Sequence, residues 1–285
     1  MREIKDPREM YLCSRKAGSH GKKIGFVPTM GALHEGHLSL VNEARRRSDM
    51  VVVSIFVNPI QFGPREDFSR YPRNLKWDKK LLKSVYGGEI DVLFLPQASA
   101  VFPDDFSTFV AVEGLGEKLC GRSRPTHFRG VATVVLKLFN MVRPDLAFFG
   151  EKDYQQQLII RQMVGDLNLP VQIISVPTVR EFDGLAMSSR NAYLNPAERK
   201  SAAILYRALC LAKEEIESGE KDHKKILLRV RSFIGTEPRV RLDYVNLVNP
   251  ETLEDIKELK GKALIAVAAY LGKTRLIDNL TVDVP

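Results

Sequence analysis

Short apolar runs alternate along this chain with stretches in which apolar residues recur every three or four positions. Residues 24–27 and 50–57 are nearly continuous in apolar side chains. The second run, Met-Val-Val-Val-Ser-Ile-Phe-Val, is rich in β-branched residues, as a strand covered on both faces should be. Between the two, Leu38, Val41 and Ala44, joined by Leu40, fall at helical spacing. Together they predict a βαβ unit with a parallel strand pair and a right-handed crossover. Residues 92–95, 146–149 and 171–176 predict three more strands. A helix falls between, with Val131, Val134, Val135, Leu138 and Phe139 at the spacing of one face. The fold class read from this alternation is α/β, a doubly wound, Rossmann-like parallel sheet with ligands expected beyond the carboxyl ends of its strands.

After Pro177 the pattern changes. Asn195-Pro196-Ala197-Glu198 reads as a helix start, with Asn as N-cap, Pro at the first helical position and Glu at the third. That helix is predicted to run to Ser218-Gly219, where glycine can close it. A second helix over residues 222–233 follows, then strands over 240–248, 263–271 and 276–282. Three strands behind two helices predict a smaller α+β domain with antiparallel pairing. The division expected is residues 1–176 for the Rossmann-like domain and 177–285 for the C-terminal one.

The stretch 24–37 carries the chemistry. An apolar run breaks at Pro28, passes a turn with Gly31 and Gly36, and enters an amphipathic segment near His37. A strand, a glycine-bearing turn and a helix start present backbone N–H groups to an anion. His34 and His37, two of the five histidines, stand where the helix dipole is positive. Such donors suit a triphosphate, because charge develops on phosphate oxygens during transfer.

Composition narrows the partners. The chain has 285 residues, 44% apolar and 27% charged, an ordinary globular balance. No apolar run approaches the roughly 18 residues of a membrane span, and residues 1–7 lack the apolar core of a signal peptide. Cys13, Cys120 and Cys210 are far apart and never paired as C-x-x-C, which predicts reduced thiols in a cytoplasmic protein. A formal charge of +8 suits anionic partners. Lys and Arg are scattered, and the densest cluster, Arg45-Arg46-Arg47, ends a predicted helix where cations suit the dipole. A solvated basic surface that steers small anions is favoured over a nucleic-acid patch.

Three motif look-alikes fail on spacing. Gly272-Lys273-Thr274 copies the end of a phosphate loop, but Val267 stands where its first glycine should be. Gly114-Leu115-Gly116 meets Leu119 instead of a third glycine. His34 and His37 are three apart, unlike the pair of a zinc-protease helix.

His34-x-Gly36-His37 resembles the HxGH signature of the nucleotidyltransferase superfamily. The longer string Pro28-Thr29-Met30-Gly31-Ala32-Leu33-His34-x-Gly36-His37 is similar to one family within it, the pantoate–beta-alanine ligases. Three later blocks fit the same family: Phe56-Val57-Asn58-Pro59-x-Gln61-Phe62, Phe149-Gly150-Glu151-Lys152-Asp153-Tyr154-Gln155-Gln156, and Met187-Ser188-Ser189-Arg190-Asn191. The resemblance implies ATP-dependent condensation of pantoate with β-alanine through a pantoyl-adenylate. Met30, Gly31, Ala32, Leu33, His34, Glu35, Gly36 and His37 would meet ATP, with His34 and His37 catalytic and His37 the usual proton donor. Gly150, Glu151, Lys152, Asp153, Val179, Met187, Ser188, Ser189 and Arg190 would complete the ATP site. Gln61 and Gln156 would clamp pantoate, with Gln61 also near β-alanine. Magnesium is implied with ATP, its protein ligands undetermined, and a homodimer is the family's usual state.

Residues 62–72 carry two prolines and dense charge and read as a loop. It is either a surface connection or a lid, and the resemblance favours a gate over the site. Two other functions stay open: a plain nucleotidyltransferase moving AMP or CMP onto a phosphate, and a basic nucleic-acid-binding protein on a degenerate nucleotide fold. Amide product formed from β-alanine separates the first from the ligase. An oligonucleotide shift that depends on salt and resists ATP would support the second.

Overall fold

The computed structural model describes residues 1–64, 66–85 and 88–285. Its strands are β1 (Arg2–Ile4), β2 (Ile24–Thr29), β3 (Met50–Ile55), β4 (Val92–Phe94), β5 (Leu146–Gly150), β6 (Gln172–Val176), β7 (Val240–Val248), β8 (Lys262–Leu271) and β9 (Thr274–Asp283). Its helices are α1 (Pro7–Ser19), α2 (Glu35–Arg47), α3 (Leu75–Lys83), α4 (Ala98–Val101), α5 (Cys120–Ser123), α6 (His127–Val142), α7 (Tyr154–Asp166), α8 (Pro196–Ala202), α9 (Ile204–Glu217) and α10 (His223–Gly235). By contacts the chain divides into two compact units. One comprises Met1–Gly116, Arg124–Glu151 and Gln156–Pro177, the other Glu117–Ser123, Lys152–Gln155 and Thr178–Pro285.

The first unit is built on a six-stranded sheet in the order β1-β4-β3-β2-β5-β6, every neighbouring pair parallel. The chain moves outward from β2 through β3 to β4, then returns to lay β5 and β6 on the other side. Strand order therefore reverses between β2 and β5, which pair at Gly25 with Leu146 and Phe26 with Ala147. Phe26, Phe148 and Phe94 are fully buried in the strands. Leu38, Leu40, Val41 and Ala44 of α2 are buried too. The doubly wound α/β sheet expected from the sequence is the one that forms.

Sequence periodicity misses β1. Among the described residues this three-residue edge strand pairs with β4 alone and buries only Ile4, and a single buried side chain has no period. The helix after β2 is also misplaced. It begins at Glu35 rather than near His37, because His34 is its N-cap.

The second unit holds an antiparallel sheet in the order β7-β8-β9. Leu205, Ala208, Leu209 and Ala212 of α9 and Ile226 and Val230 of α10 share its core with Val245, Ile265 and Val267. The single helix expected after Asn195 is two, α8 and α9, interrupted at Ala203. Ser201 Oγ donates to the Ala197 carbonyl at 3.0 Å, one turn back. A hydroxyl bonding the carbonyl four residues earlier competes with the backbone ladder and bends helices. Asn195 and Glu198 form the expected cap reciprocally, each side chain accepting the other's backbone N–H. No helix among the described residues is long and apolar enough to cross a membrane.

Candidate active site

Two of the motif stretches leave the carboxyl ends of β2 and β5, the neighbouring strands between which the sheet order reverses. In open α/β sheets this is where ligands bind. After β2 the backbone turns through two consecutive left-handed residues, Gly31 (φ +81°) and Ala32 (φ +50°). Alanine is uncommon there, at a cost of about 1 kcal/mol. At Gly31 a Cβ would lie 2.9 Å from Ile55 Cγ2, so a side chain is excluded on space as well.

What holds the turn is a carboxylate from α3. Asp78, 1% exposed, accepts the N–H of Ala32 at 3.2 Å and of Leu33 at 2.8 Å. Burial pushes its carboxyl up, and the two backbone donors pull it back only in part. Thr29 Oγ1 closes the strand side, donating to the Ser54 carbonyl at 2.7 Å and accepting from Gly31 N at 3.2 Å.

The histidines cap α2 in a reciprocal pair. Gly36 N donates to His34 Nδ1 at 3.1 Å, and His34 N donates to His37 Nδ1 at 3.4 Å. Their rings are 4.1 Å apart between centroids. With each Nδ1 facing a backbone N–H, it is Nε2 of each ring that can donate to a ligand.

Gln61 lies in the same unit, in the short turn Pro59–Gln61 capped by Asn58. Asn58 Nδ2 donates to Gln61 Oε1 at 2.9 Å and to the Gly130 carbonyl at 3.1 Å. Gln61 Nε2 points at Met30 Sδ, 3.2 Å away. A thioether is a weak acceptor, so this amide is free to exchange it for a stronger oxygen. The turn sits tightly on α6: a Cβ at Gly130 would lie 2.4 Å from the Ile60 carbonyl oxygen. His127 Nδ1 lies 3.0 Å from the Gln61 carbonyl oxygen.

Gly150 ends β5, where a Cβ would meet nothing within 4 Å, so the backbone is open to approach. Glu151 follows it, and Gln156 is half-buried on α7. Thus Met30, Gly31, Ala32, Leu33, His34, Glu35, Gly36, His37, Gln61, Gly150, Glu151 and Gln156 all belong to the first unit.

The remaining candidate residues belong to the second unit. Lys152 Nζ is 3.9 Å from Asp153 Oδ1. Val179 and Met187 are joined across a hairpin, Met187 N donating to the Val179 carbonyl at 3.0 Å. Gly184 (φ +91°) turns that hairpin against the Tyr206 ring, where any Cβ would clash. Ser188 caps the short helical turn Ser189–Tyr193, accepting from Arg190 N at 3.2 Å. Asn191 Nδ2 donates to Glu181 Oε1 at 2.9 Å and the Ala186 carbonyl at 3.2 Å. Arg199 of α8 then locks the hairpin, reaching Asp183 at 2.6 and 3.0 Å and Glu181 at 2.7 Å. This guanidinium holds the Asp183 carboxyl below the usual range.

The loop over residues 62–72 is described except for Arg65, which lies outside the described residues. It has a small core of its own. Phe62 meets Phe68 at 5.4 Å and Tyr71 at 6.0 Å, and Arg73 donates to the carbonyls of Phe68, Ser69 and Tyr71. Arg124 grips Glu66 with two bonds of 2.6 Å. Burial works to raise the Glu66 carboxyl, and Arg124 overcomes it, leaving it below the usual carboxylate range. The loop is thus packed on its own side chains, as compact surface loops are.

Sequence reasoning missed Asp78 and Arg199, and gave Asn58, which stands in a motif block, no role of its own. The Asn58-Pro59 pair is a cap signal and could have been read. Asp78 is 45 residues from Leu33, and no local pattern marks it.

Two imidazole donors at a helix N-terminus beside the reversal point of a parallel sheet define a nucleotide-binding α/β enzyme of the HxGH class. A sequence model of that class described as pantoate-beta-alanine ligase matches residues 1–281. The chain is 54% identical over 284 residues to the pantothenate synthetase of Heliobacterium modesticaldum, with all of each chain covered. It is 55% identical to that of Carboxydothermus hydrogenoformans, over 99% of this chain and 98% of that one. The crystal structure of the Thermus thermophilus enzyme matches with a TM-score of 0.93 at 47% identity, over 98% of this chain and 99% of that one. A pantoate-beta-alanine ligase from Francisella tularensis, complexed with beta-gamma ATP and beta-alanine, matches with a TM-score of 0.78 at 35% identity, over 98% and 97%. The chain belongs to the pantoate-beta-alanine ligase family and is a carbon–nitrogen ligase of pantothenate biosynthesis.

Proposed function

We propose that the chain joins pantoate to β-alanine in two steps at the expense of ATP. A pantoate carboxylate oxygen attacks the α-phosphorus, the bond to the β-phosphate oxygen breaks, and pyrophosphate leaves. The β-alanine amine then attacks the acyl carbon of the pantoyl-adenylate, losing a proton as AMP departs and the amide forms. The observation that carries this reading is the position of both HxGH and Gly150-Glu151 stretches at the ends of neighbouring strands β2 and β5.

In this reading His34 and His37 offer Nε2–H donors to phosphate oxygens, with His37 placed to share its proton as pyrophosphate departs. Such donors act where charge develops and need no reorganisation. Residues 30–33 and 35–36, with Gly150 and Glu151, supply backbone and small side chains along ATP. Gln61 and Gln156 clamp pantoate, Gln61 exchanging its Met30 contact for a substrate oxygen. In the second unit Lys152, Ser188, Ser189 and Arg190 meet phosphates, Asp153 the ribose or a hydrated cation, and Val179 the adenine side. Residues 1–176 would then carry ATP and pantoate, and residues 177–285 the second phosphate loop.

Magnesium, a homodimeric state and a cytoplasmic location belong to the same proposal. Among the described residues no three His, Cys, Asp or Glu converge as a metal cage. That donor set suits magnesium held chiefly by the triphosphate, with Asp153 as one carboxylate, since this ion keeps several waters. Its contribution when bound is to neutralise phosphate charge. Three free thiols at Cys13, Cys120 and Cys210 suit a reducing compartment.

The experiment is isotope exchange. Labelled pyrophosphate should enter ATP when pantoate is present and β-alanine absent, because the first step alone is reversible on the enzyme. ADP as the nucleotide product, or exchange that ignores pantoate, would overturn the reading.

A further inference from the structure

Among the described residues β9 is an edge strand of the second unit's sheet, paired with β8. Two adjacent residues on it, Asp278 and Asn279, are 3% and 9% exposed. Neither belongs to any motif stretch. Asp278 takes the Arg180 guanidinium in a two-pronged pair, Nη1 to Oδ2 at 2.6 Å and Nη2 to Oδ1 at 3.0 Å. The Asn279 N–H adds a third bond to Oδ1 at 2.8 Å. Arg180 is held on its other sides as well. It lies 4.0 Å from the centre of the Tyr206 ring and donates to the Gly184 carbonyl at 3.1 Å and the Asn279 carbonyl at 3.4 Å. One guanidinium therefore grips both an arm and the tip of the hairpin that pairs Val179 with Met187. Asn279 Nδ2 donates in turn to the Lys152 carbonyl at 2.9 Å.

Two neighbours on one strand thus fix two segments far away in sequence, the second 127 residues distant. Covering a sheet edge would not by itself need these atoms, since lysines, prolines or a bulge serve that end. Here the bonds fall on the Lys152 carbonyl and on the residue directly after Val179. Burying an ion pair is also a poor way to gain stability. Burial pushes the Asp278 carboxyl up against the pull of Arg180 and the Asn279 N–H, and such pairs are often no better than apolar packing. What a fully bonded pair supplies is a fixed geometry.

We propose that Asp278 and Asn279 are positioning residues for ATP, holding the Lys152–Asp153 segment and the 179–190 segment in one register. The inference rests on the reading that those two segments contact ATP. An amide bond to the Lys152 carbonyl fixes the peptide that carries the Lys152 side chain, and the Arg180 pair fixes the hairpin that leads into Ser188. Both act before substrate arrives, so their loss should weaken ATP binding and leave pantoate handling alone.

The test uses the full-length enzyme with Asn279→Ala and Asn279→Leu, the second keeping volume while removing the donor. Lys152→Ala checks the underlying reading. Steady-state KM values for ATP, pantoate and β-alanine, kcat and Tm are measured for each. Both Asn279 variants should raise KM for ATP about three- to tenfold, the loss of one hydrogen bond. KM for pantoate should stay within about twofold and Tm should move little. Asp278→Asn should weaken ATP binding further and lower Tm, because Arg180 loses its counter-charge. If Lys152→Ala raises KM for ATP while both Asn279 variants keep the wild-type value, the positioning role is wrong and the ATP reading stands. If the Asn279 variants raise all three KM values together and lower Tm, the residues are merely structural and the proposal falls. If Lys152→Ala itself leaves ATP binding untouched, the nucleotide reading of that segment fails and takes the positioning role with it.

Discussion

The HxGH turn of the first unit and the 179–190 segment of the second are held by different means. The turn is a backbone device. Gly31 and Ala32 sit in the left-handed region, Asp78 takes two backbone N–H groups, and two imidazoles cap a helix by bonding its own amides. The segment is a side-chain device. Arg199 joins Glu181 to Asp183, Arg180 joins Asp278, and Asn191 and Asn279 reach carbonyls or carboxylates. Donors that act on developing charge must be placed before the reaction, and a strained, short-range turn leaves them little freedom. On the roles proposed above, groups that only hold a bound nucleotide can be tied down from a distance.

The difference predicts where damage appears. His37→Ala or His34→Ala should lower kcat by about 10²- to 10³-fold, the usual cost of one preorganised transition-state donor. Tm should fall slightly for both variants, since each loses one bond of the reciprocal cap. Kinetics and a melting curve on each variant check this. Near-normal turnover in either would remove that ring from the chemistry and leave it only a cap.

A matched pair sharpens the comparison at smaller amplitude. Asp78→Asn keeps the volume but offers one acceptor to two backbone donors, so one N–H is left facing an amide. The expected stability loss is about 1–3 kcal/mol, the cost of an unsatisfied buried donor. Turnover should fall about tenfold as the turn relaxes. Arg199→Lys replaces a planar fork with a point charge and loses the simultaneous grip on Asp183 and Glu181. Its defect should fall chiefly on KM for ATP, by about three- to tenfold. Were Asp78→Asn to raise only KM for ATP, or Arg199→Lys to depress only kcat, the two devices would not differ as described.

The same contrast explains what could be read in the sequence. The sheet was legible because β2 and β3 bury both faces and so read as unbroken apolar runs. The HxGH turn was legible because its geometry needs glycine and small residues in a fixed local order. Asp78, Asp278 and Arg199 were not, since nothing around them in sequence hints at partners 16 to 98 residues away. β1 escaped because one buried isoleucine makes no pattern. The break at Ala203 escaped because no glycine or proline stands between Pro196 and Glu217 to mark it. Which nitrogen of each imidazole faces a backbone amide lies further out of reach.

The smallest expected effect concerns the loop after Gln61, which shares features of both devices. Its tip is a side-chain latch, Glu66 against Arg124, while its base is a backbone turn capped by Asn58. Glu66→Gln keeps the shape and removes the charge. At neutral pH the variant loop should be cut about two- to fivefold faster in limited proteolysis, in line with a partly exposed ion pair. Acid should do the same to the wild type. The folded carboxyl lies below its unfolded value, so the latch contributes in full above the ordinary glutamate range, about pH 4.3. It is lost as pH falls through the lower folded value. Wild type and Glu66→Gln should therefore differ at pH 7 and converge as the pH drops beneath that range. A functional readout runs beside this one. If the loop covers the pantoyl-adenylate, a looser latch should release some intermediate to water, and AMP should exceed pantothenate slightly in Glu66→Gln at saturating β-alanine. Faster cleavage with an AMP-to-pantothenate ratio still at one would mean that the latch orders the loop without guarding the intermediate. Equal cleavage of the two proteins at pH 7 would mean that the aromatic cluster of Phe62, Phe68 and Tyr71 holds the loop alone.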